Sequence, residues 1–187
     1  MLRYAYIVVS WGIKAVIMSD EIKKANELFA EGMRYSSGGR VKRDRVKAFE
    51  LFTEAAELGH VEAQRNVGLC HKRGLHGKEL NWAKAAEWLE KAAVQGCVAA
   101  AHDLGLLYFS PAGGMLDYKK AAEWFALAAE KGHGDAQNVL GKCYAEGKGV
   151  EKNYNTARKW WRKAVKQSSG EAKRNLEALA KMKLRNR

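Results

Sequence analysis

Large and small apolar residues return along this chain at a long, regular interval. Aligned on Ala48, Ala85, Ala121 and Ala157, which stand 37, 36 and 36 residues apart, several further columns fall into register, the mark of a repeat architecture. Leu51, Trp88, Trp124 and Trp160 follow the aligned alanine by three residues, and Ala55, Ala92, Ala128 and Ala164 follow it by seven. These spacings share one helical face, so a large and a small residue together predict a stripe turned into the core. Asp44, Asn81, Asp117 and Asn153 stand four residues before the alanine, where their side chains accept from the free amides of a helix start. Gly59, Gly96 and Gly132 end the segment in the left-handed conformation that closes a helix, and Ser168 in their place predicts a looser final turn.

A second set of columns predicts another helix before each of these. Gly32, Gly68, Gly105 and Gly141 recur, each followed after three residues by Tyr35, His71, Tyr108 or Tyr144. A glycine inside a helix costs about 1 kcal/mol against alanine, so four in register predict a close helix crossing. Glycine-rich turns join the two helices: 36–39, 74–77, 111–114 and 147–150. Helix pairs are predicted over about 22–59, 60–96, 97–132 and 133–168, with a last amphipathic helix over about 170–183. The glycine-rich turns follow no strand and match no phosphate-binding motif, and a single proline among many Ala, Leu, Lys, Glu and Arg agrees with an all-α chain.

The stretch Ala-Gln-Asn-Val-Leu-Gly-Lys-Cys-Tyr-Ala-Glu-Gly-Lys-Gly-Val at 136–150, followed by Ala157 to Trp160 and Ala164, resembles the Sel-one-like repeat family, relatives of the tetratricopeptide repeat. Leu104, Gly105, Tyr108, Trp124, Gly132 and His133 carry the same pattern in the preceding copy, and the resemblance extends over about 22–176. Repeat one departs from it at Glu31, where an apolar residue is usual. The resemblance implies a right-handed α-solenoid of antiparallel helix pairs, about four repeats and a C-terminal helix, whose first helices line a concave groove for protein partners. Secreted members with cysteines in every repeat have been associated with β-lactams. Here the columns Ala56, Ala93, Ala129, Val165 and Ala63, Ala100, Ala136, Ala172 hold no cysteine, which sets this chain outside that branch.

Residues 1–18 are apolar, lack acids and fall outside the repeats, leaving 19–187 as the repeat solenoid. Lys14 interrupts the run, which is too short for a membrane-spanning helix. Val16-Ile17-Met18 offers no small-residue cleavage site, and Arg3 alone is little arginine for a mitochondrial presequence. The two readings preferred are an apolar cap on the first repeat and a natural start at Met18.

Charge and chemistry narrow the function. The net charge of +12 is concentrated at one end: residues 133–187 carry 14 Lys or Arg against 5 Asp or Glu. That end suits an acidic partner, a nucleic acid or an anionic membrane. Cys70, Cys97 and Cys143 are an odd number at no metal-ligand spacing, which points to a reducing compartment, cytoplasmic in the simplest case. No nucleophile, base and orienter come together, and neither cofactor nor metal is expected. His60 and His133 share a turn position and are read as structural; His71 replaces a packing tyrosine, His76 sits in a turn, and His102 is left for a binding surface.

If Leu104, Gly105 and Tyr108 face the partner helix, His102, Leu106 and Phe109 point away from it. Carrying that phase to the neighbouring repeats predicts a partner-binding groove of Arg65, Leu69, Lys72, His102, Leu106, Phe109, Asn138 and Lys142, facing solvent and continued by Arg174. Apolar and donor residues in register suit an acidic segment of a partner protein. The favoured function is a non-catalytic interaction scaffold or adaptor; the alternative is a basic helical-repeat protein that binds RNA or belongs to a ribonucleoprotein or organellar complex. Against the alternative, the tryptophan columns are expected on the packing face, where they cannot stack on bases.

Overall fold

A computed structural model describes the backbone of residues 2–38, 41–75 and 79–185 and the side chains of 19–38, 41–75 and 79–182. Among these residues the chain is all-α: α1 (Leu2–Ser37), α2 (Arg45–Glu57), α3 (Val61–Arg73), α4 (Trp82–Val94), α5 (Val98–Phe109), α6 (Tyr118–Glu130), α7 (Gly134–Glu146), α8 (Tyr154–Val165) and α9 (Gly170–Arg185), with a 3-10 turn at Pro111–Gly113. It forms two compact units, residues 1–91 and 92–187, whose boundary falls within α4. His76 lies outside the described residues, as do the side chains of 1–18 and with them the reading of that segment as a cap. Among the described residues no helix is long and apolar enough to cross a membrane.

The predicted caps are present in every copy. The Oδ1 atoms of Asp44, Asn81, Asp117 and Asn153 accept from the amides of Lys47, Lys84, Lys120 and Thr156 at 2.9–3.0 Å. The same four residues donate their own amides back to the carbonyls of Tyr35, His71, Tyr108 and Tyr144 at 2.7–3.0 Å, which closes each hairpin turn. Each side-chain cap is worth about 1 kcal/mol. The first helices start by a parallel device. His60 and His133 accept at Nδ1 from Ala63 and Ala136, and Ser169 Oγ accepts from Ala172. Cys97 stands at the same place without a side-chain cap bond. The helix α1 has no such start, because it runs unbroken from Leu2 into the first repeat.

In the first unit, Ala48, Phe52, Ala55, Ala63 and Val67 form a core with Leu28, Phe29, Tyr35 and Trp88 packed against it. In the second, α5 packs on α6, α6 on α7, α7 on α8, and α8 on α9. The last of these buries Ala172 and Leu179 against Ala157, Trp161 and Ala164.

Two expectations are corrected here. Leu51 is buried, but Trp88, Trp124 and Trp160 are only half-buried. The deeply buried column is one residue later, at Phe52, Leu89, Phe125 and Trp161. The glycines explain the shift: a Cβ on Gly32, Gly68 or Gly105 would lie 2.6–2.8 Å from Phe52, Leu89 or Phe125, and one on Gly141 would strike Trp161. Each glycine thus opens a slot that the later residue fills, and the helix rolls until the earlier one sits at the edge of the contact. There the ammonium groups of Lys91 and Lys163 lie 4.2 Å from the ring centres of Trp88 and Trp160. The turn at Ser168 is not looser either. Ser168 takes φ +65°, in the left-handed region where Gly59, Gly96 and Gly132 take +90° to +95°. Its amide reaches the carbonyl of Val165 at 2.9 Å, as that of Gly132 reaches Ala129 at 3.1 Å. Packing of α9 holds the conformation that a serine disfavours.

Candidate functional site

Arg65, Leu69 and Lys72 lie on α3 in the first unit, and His102, Leu106, Phe109, Asn138 and Lys142 lie on α5 and α7 in the second. Their shared solvent-facing orientation is corrected by the structure. His102, Gly105 and Phe109 are spaced i, i+3, i+7 and form one stripe, and Gly105 faces Phe125 of α6. The His102 ring accordingly lies 5.9 Å from that of Phe125 and stacks on His133 at 4.5 Å. Phe109 lies 5.1 Å from Tyr118 and 6.0 Å from Phe125. Arg65 and Lys72 hold the same positions around Gly68 and are half-buried. Leu69, Leu106 and Lys142 each follow their glycine, are turned about 100° from it to the edge of the stripe, and are half-buried too.

Asn138 departs furthest from expectation, at 3% exposure. Its Nδ2 donates to Glu171 at 2.8 Å, its Oδ1 accepts from Asn175 at 3.1 Å, and its carbonyl accepts from Trp161 Nε1 at 3.0 Å. Lys142 donates to the same Glu171 carboxylate. That hydrogen bond, with the charge of Lys142, the Asn138 amide and the charge of Arg174, holds the Glu171 carboxyl below the usual range. Two donors assigned to a partner are therefore spent on α9. Sequence reasoning missed Glu171 and Asn175, although the repeat register offered a signal: Glu62, Asp135 and Glu171 are each the second residue of their helix. Arg174, read as the end of the groove, is exposed beside them.

Beside this network a cleft of about 160 Å³ opens between α7 and α9. Ala145, Tyr154, Trp161 and Met182 contribute to its apolar lining, and Lys142, Asn175 and Glu146, the last paired with Lys148, make its polar side. Its shape and chemistry suit one apolar side chain with a polar group next to it.

The remaining reactive groups have structural settings. Burial pushes the thiols of Cys70 and Cys143 up to about 11, and all three cysteines are free. Burial likewise lowers the pKa of His60, which favours the neutral ring that accepts at Nδ1. Among the described residues no three His, Cys, Asp or Glu side chains are grouped as metal ligands would be.

The Sel1 repeat family model matches residues 25–60, 61–97, 98–133 and 134–169. Among solved structures, a protective antigen of uropathogenic Escherichia coli with an SLR fold aligns at TM-score 0.76 and 32% identity, covering 85% of this chain and 34% of that one. A Sel1 repeat protein from Oxalobacter formigenes aligns at 0.71 and 30% identity, covering 76% and 58%. Cysteine rich protein B of Helicobacter pylori aligns at 0.52 and 29% identity, covering 72% and 96%. A chitin synthase regulator of Saccharomyces cerevisiae is 36% identical over 85 residues, which is 46% of this chain and 12% of the regulator. The chain thus spans about a third of the antigen and a small part of the regulator.

Proposed function

This chain belongs to the Sel1 repeat family, and from that membership we propose that it is a non-catalytic scaffold which holds a segment of a partner protein against its first helices. Sel1 repeat proteins generally mediate protein–protein interaction and are generally non-enzymatic. The observation that carries the reading for this chain is the cleft between α7 and α9, an apolar hollow with polar groups on one side, Lys142 among them; Leu106 is half-buried on the neighbouring first helix, α5. An apolar side chain of the partner fills the hollow. Acidic residues beside it meet the basic C-terminal part of the chain, and Arg65, Leu69 and Lys72 offer a like mixture on α3. A reducing compartment such as the cytoplasm is consistent with three free thiols.

The test is affinity capture from the native cell with mass spectrometry, followed by titration of the captured protein. Ala178 is exposed and lines the cleft, so Ala178→Glu obstructs it and repels an acidic segment while leaving the core intact. We expect Ala178→Glu and Leu106→Glu each to weaken binding at least about tenfold, the loss of roughly 1.4 kcal/mol that one good contact supplies. Unchanged affinity in both variants overturns the cleft, and turnover of an ester or β-lactam abolished by one substitution overturns the non-catalytic reading.

A further inference from the structure

The outer face of α8 departs from every other second helix. Two residues past the aligned alanine, α2, α4 and α6 expose Glu50, Glu87 and Glu123, and α8 exposes Lys159. Nine past it stand Glu57, Val94 and Glu130, and then Lys166. Arg162 and Lys163 complete the face, and residues 152–170 contain no Asp or Glu. Lys159, Arg162, Lys163 and Lys166 are spaced i, i+3, i+4, i+7, which makes them one exposed stripe opposite the buried Ala157, Trp161 and Ala164. Arg158 at its edge donates to its neighbour Asn155, and Lys163 lies over Trp160. Among the described residues no carboxylate pairs with any of these cations.

We propose that this stripe is a second interaction surface, one that takes the phosphate backbone of a nucleic acid strand. The fold has no need of the charge, because glutamates occupy two of the same positions in sibling helices over the same buried alanines. Cations one turn apart advance about 6 Å along the helix, so a polyanion with a charge every few ångströms can meet each in turn. No large apolar side chain is exposed on α8. A protein interface would want such anchors at its centre and a membrane surface would want them for insertion, whereas nucleic-acid interfaces are polar and strongly positive. The surface is separate from the α7–α9 cleft, and the inference does not depend on the protein-binding reading.

The experiment is a fluorescence-anisotropy titration of the full chain with a short labelled single-stranded oligonucleotide at two salt concentrations. Lys159→Glu with Lys166→Glu gives α8 the residues that α6 carries as Glu123 and Glu130, so the helix tolerates the change. Lys119→Glu with Lys131→Glu makes the same change in net charge at two exposed positions of α6 and its cap. We expect the wild type to bind more weakly as salt rises, and the α8 pair to lose about tenfold or more and flatten the log–log salt slope by about 1.4. The α6 pair should change little, and Lys159→Gln with Lys166→Gln should give a smaller loss in the same direction. Absence of binding at low salt overturns the proposal. So does equal loss from the α6 pair, and so does an oligoglutamate that competes as well as the oligonucleotide.

Discussion

Within the second unit, α5–α6 and α7–α8 build the same hairpin and present unlike surfaces. In the first, Phe125 fills the slot over Gly105, with His102 and Phe109 packed around it. In the second, Trp161 fills the slot over Gly141, its Nε1 reaches the Asn138 carbonyl, and Asn138 and Lys142 turn to Glu171 of α9. The outer faces diverge as well, from Glu123 and Glu130 to Lys159 and Lys166. The caps of the second helices keep their acceptor and the slots keep a large apolar residue, because unpaired amides and unfilled space carry a fixed cost. Positions around the slot and on the outer face change chemistry freely, so a repeat protein can differentiate its copies there without altering the hairpin.

The deepest test of this comparison concerns the slot. Phe125→Ala and Trp161→Ala should each cost roughly 3–5 kcal/mol in urea melts, through lost burial and a cavity. Trp124→Ala and Trp160→Ala, at the edge of the same contacts, should cost about 1–2 kcal/mol. Equal costs within each adjacent pair would break the assignment of the slot residue.

A reciprocal exchange at the closing turn sharpens the comparison at a smaller scale. Gly132→Ser should destabilise by about 1 kcal/mol, and Ser168→Gly should stabilise by a similar amount, since only the serine pays for the left-handed backbone. Thermal melts with shifts in the same direction for both would show that the two turns are not equivalent.

The smallest effect is confined to α7–α9. The hydrogen bond from Lys142, foremost among its causes, places the folded pKa of Glu171 below its ordinary value of 4.5. Its contribution to stability is therefore complete above that value and is lost as pH falls through the lower, folded value. Melting temperatures measured down through this range should drop more steeply in the wild type than in Glu171→Gln. Parallel curves would remove Glu171 from the account of how α9 docks.

Much of this was legible because it is local. The acceptors at Asp44, Asn81, Asp117 and Asn153 act on amides three residues away, and the aligned alanines from Ala48 to Ala157 are all at 0% exposure. The groove was harder to read. Leu104, Gly105 and Tyr108 alone set a phase that leaves His102 and Phe109 outside the helix contact, and the contact on α6 is wide enough to draw both in.

By itself the sequence determined the period, the starts of the second helices, their glycine stops, and the close crossings at Gly32, Gly68, Gly105 and Gly141, since each follows from backbone geometry or hydrogen bonds within a few residues. Tertiary structure decided which of two adjacent large residues enters the slot. Trp124 and Phe125 are similar in apolarity and lie only about 100° apart on the helix, so the roll of the packed pair selects between them. It also decided whether Asn138 and Lys142 meet solvent, because their partner Glu171 lies 33 and 29 residues along the chain and reaches them only when α9 docks.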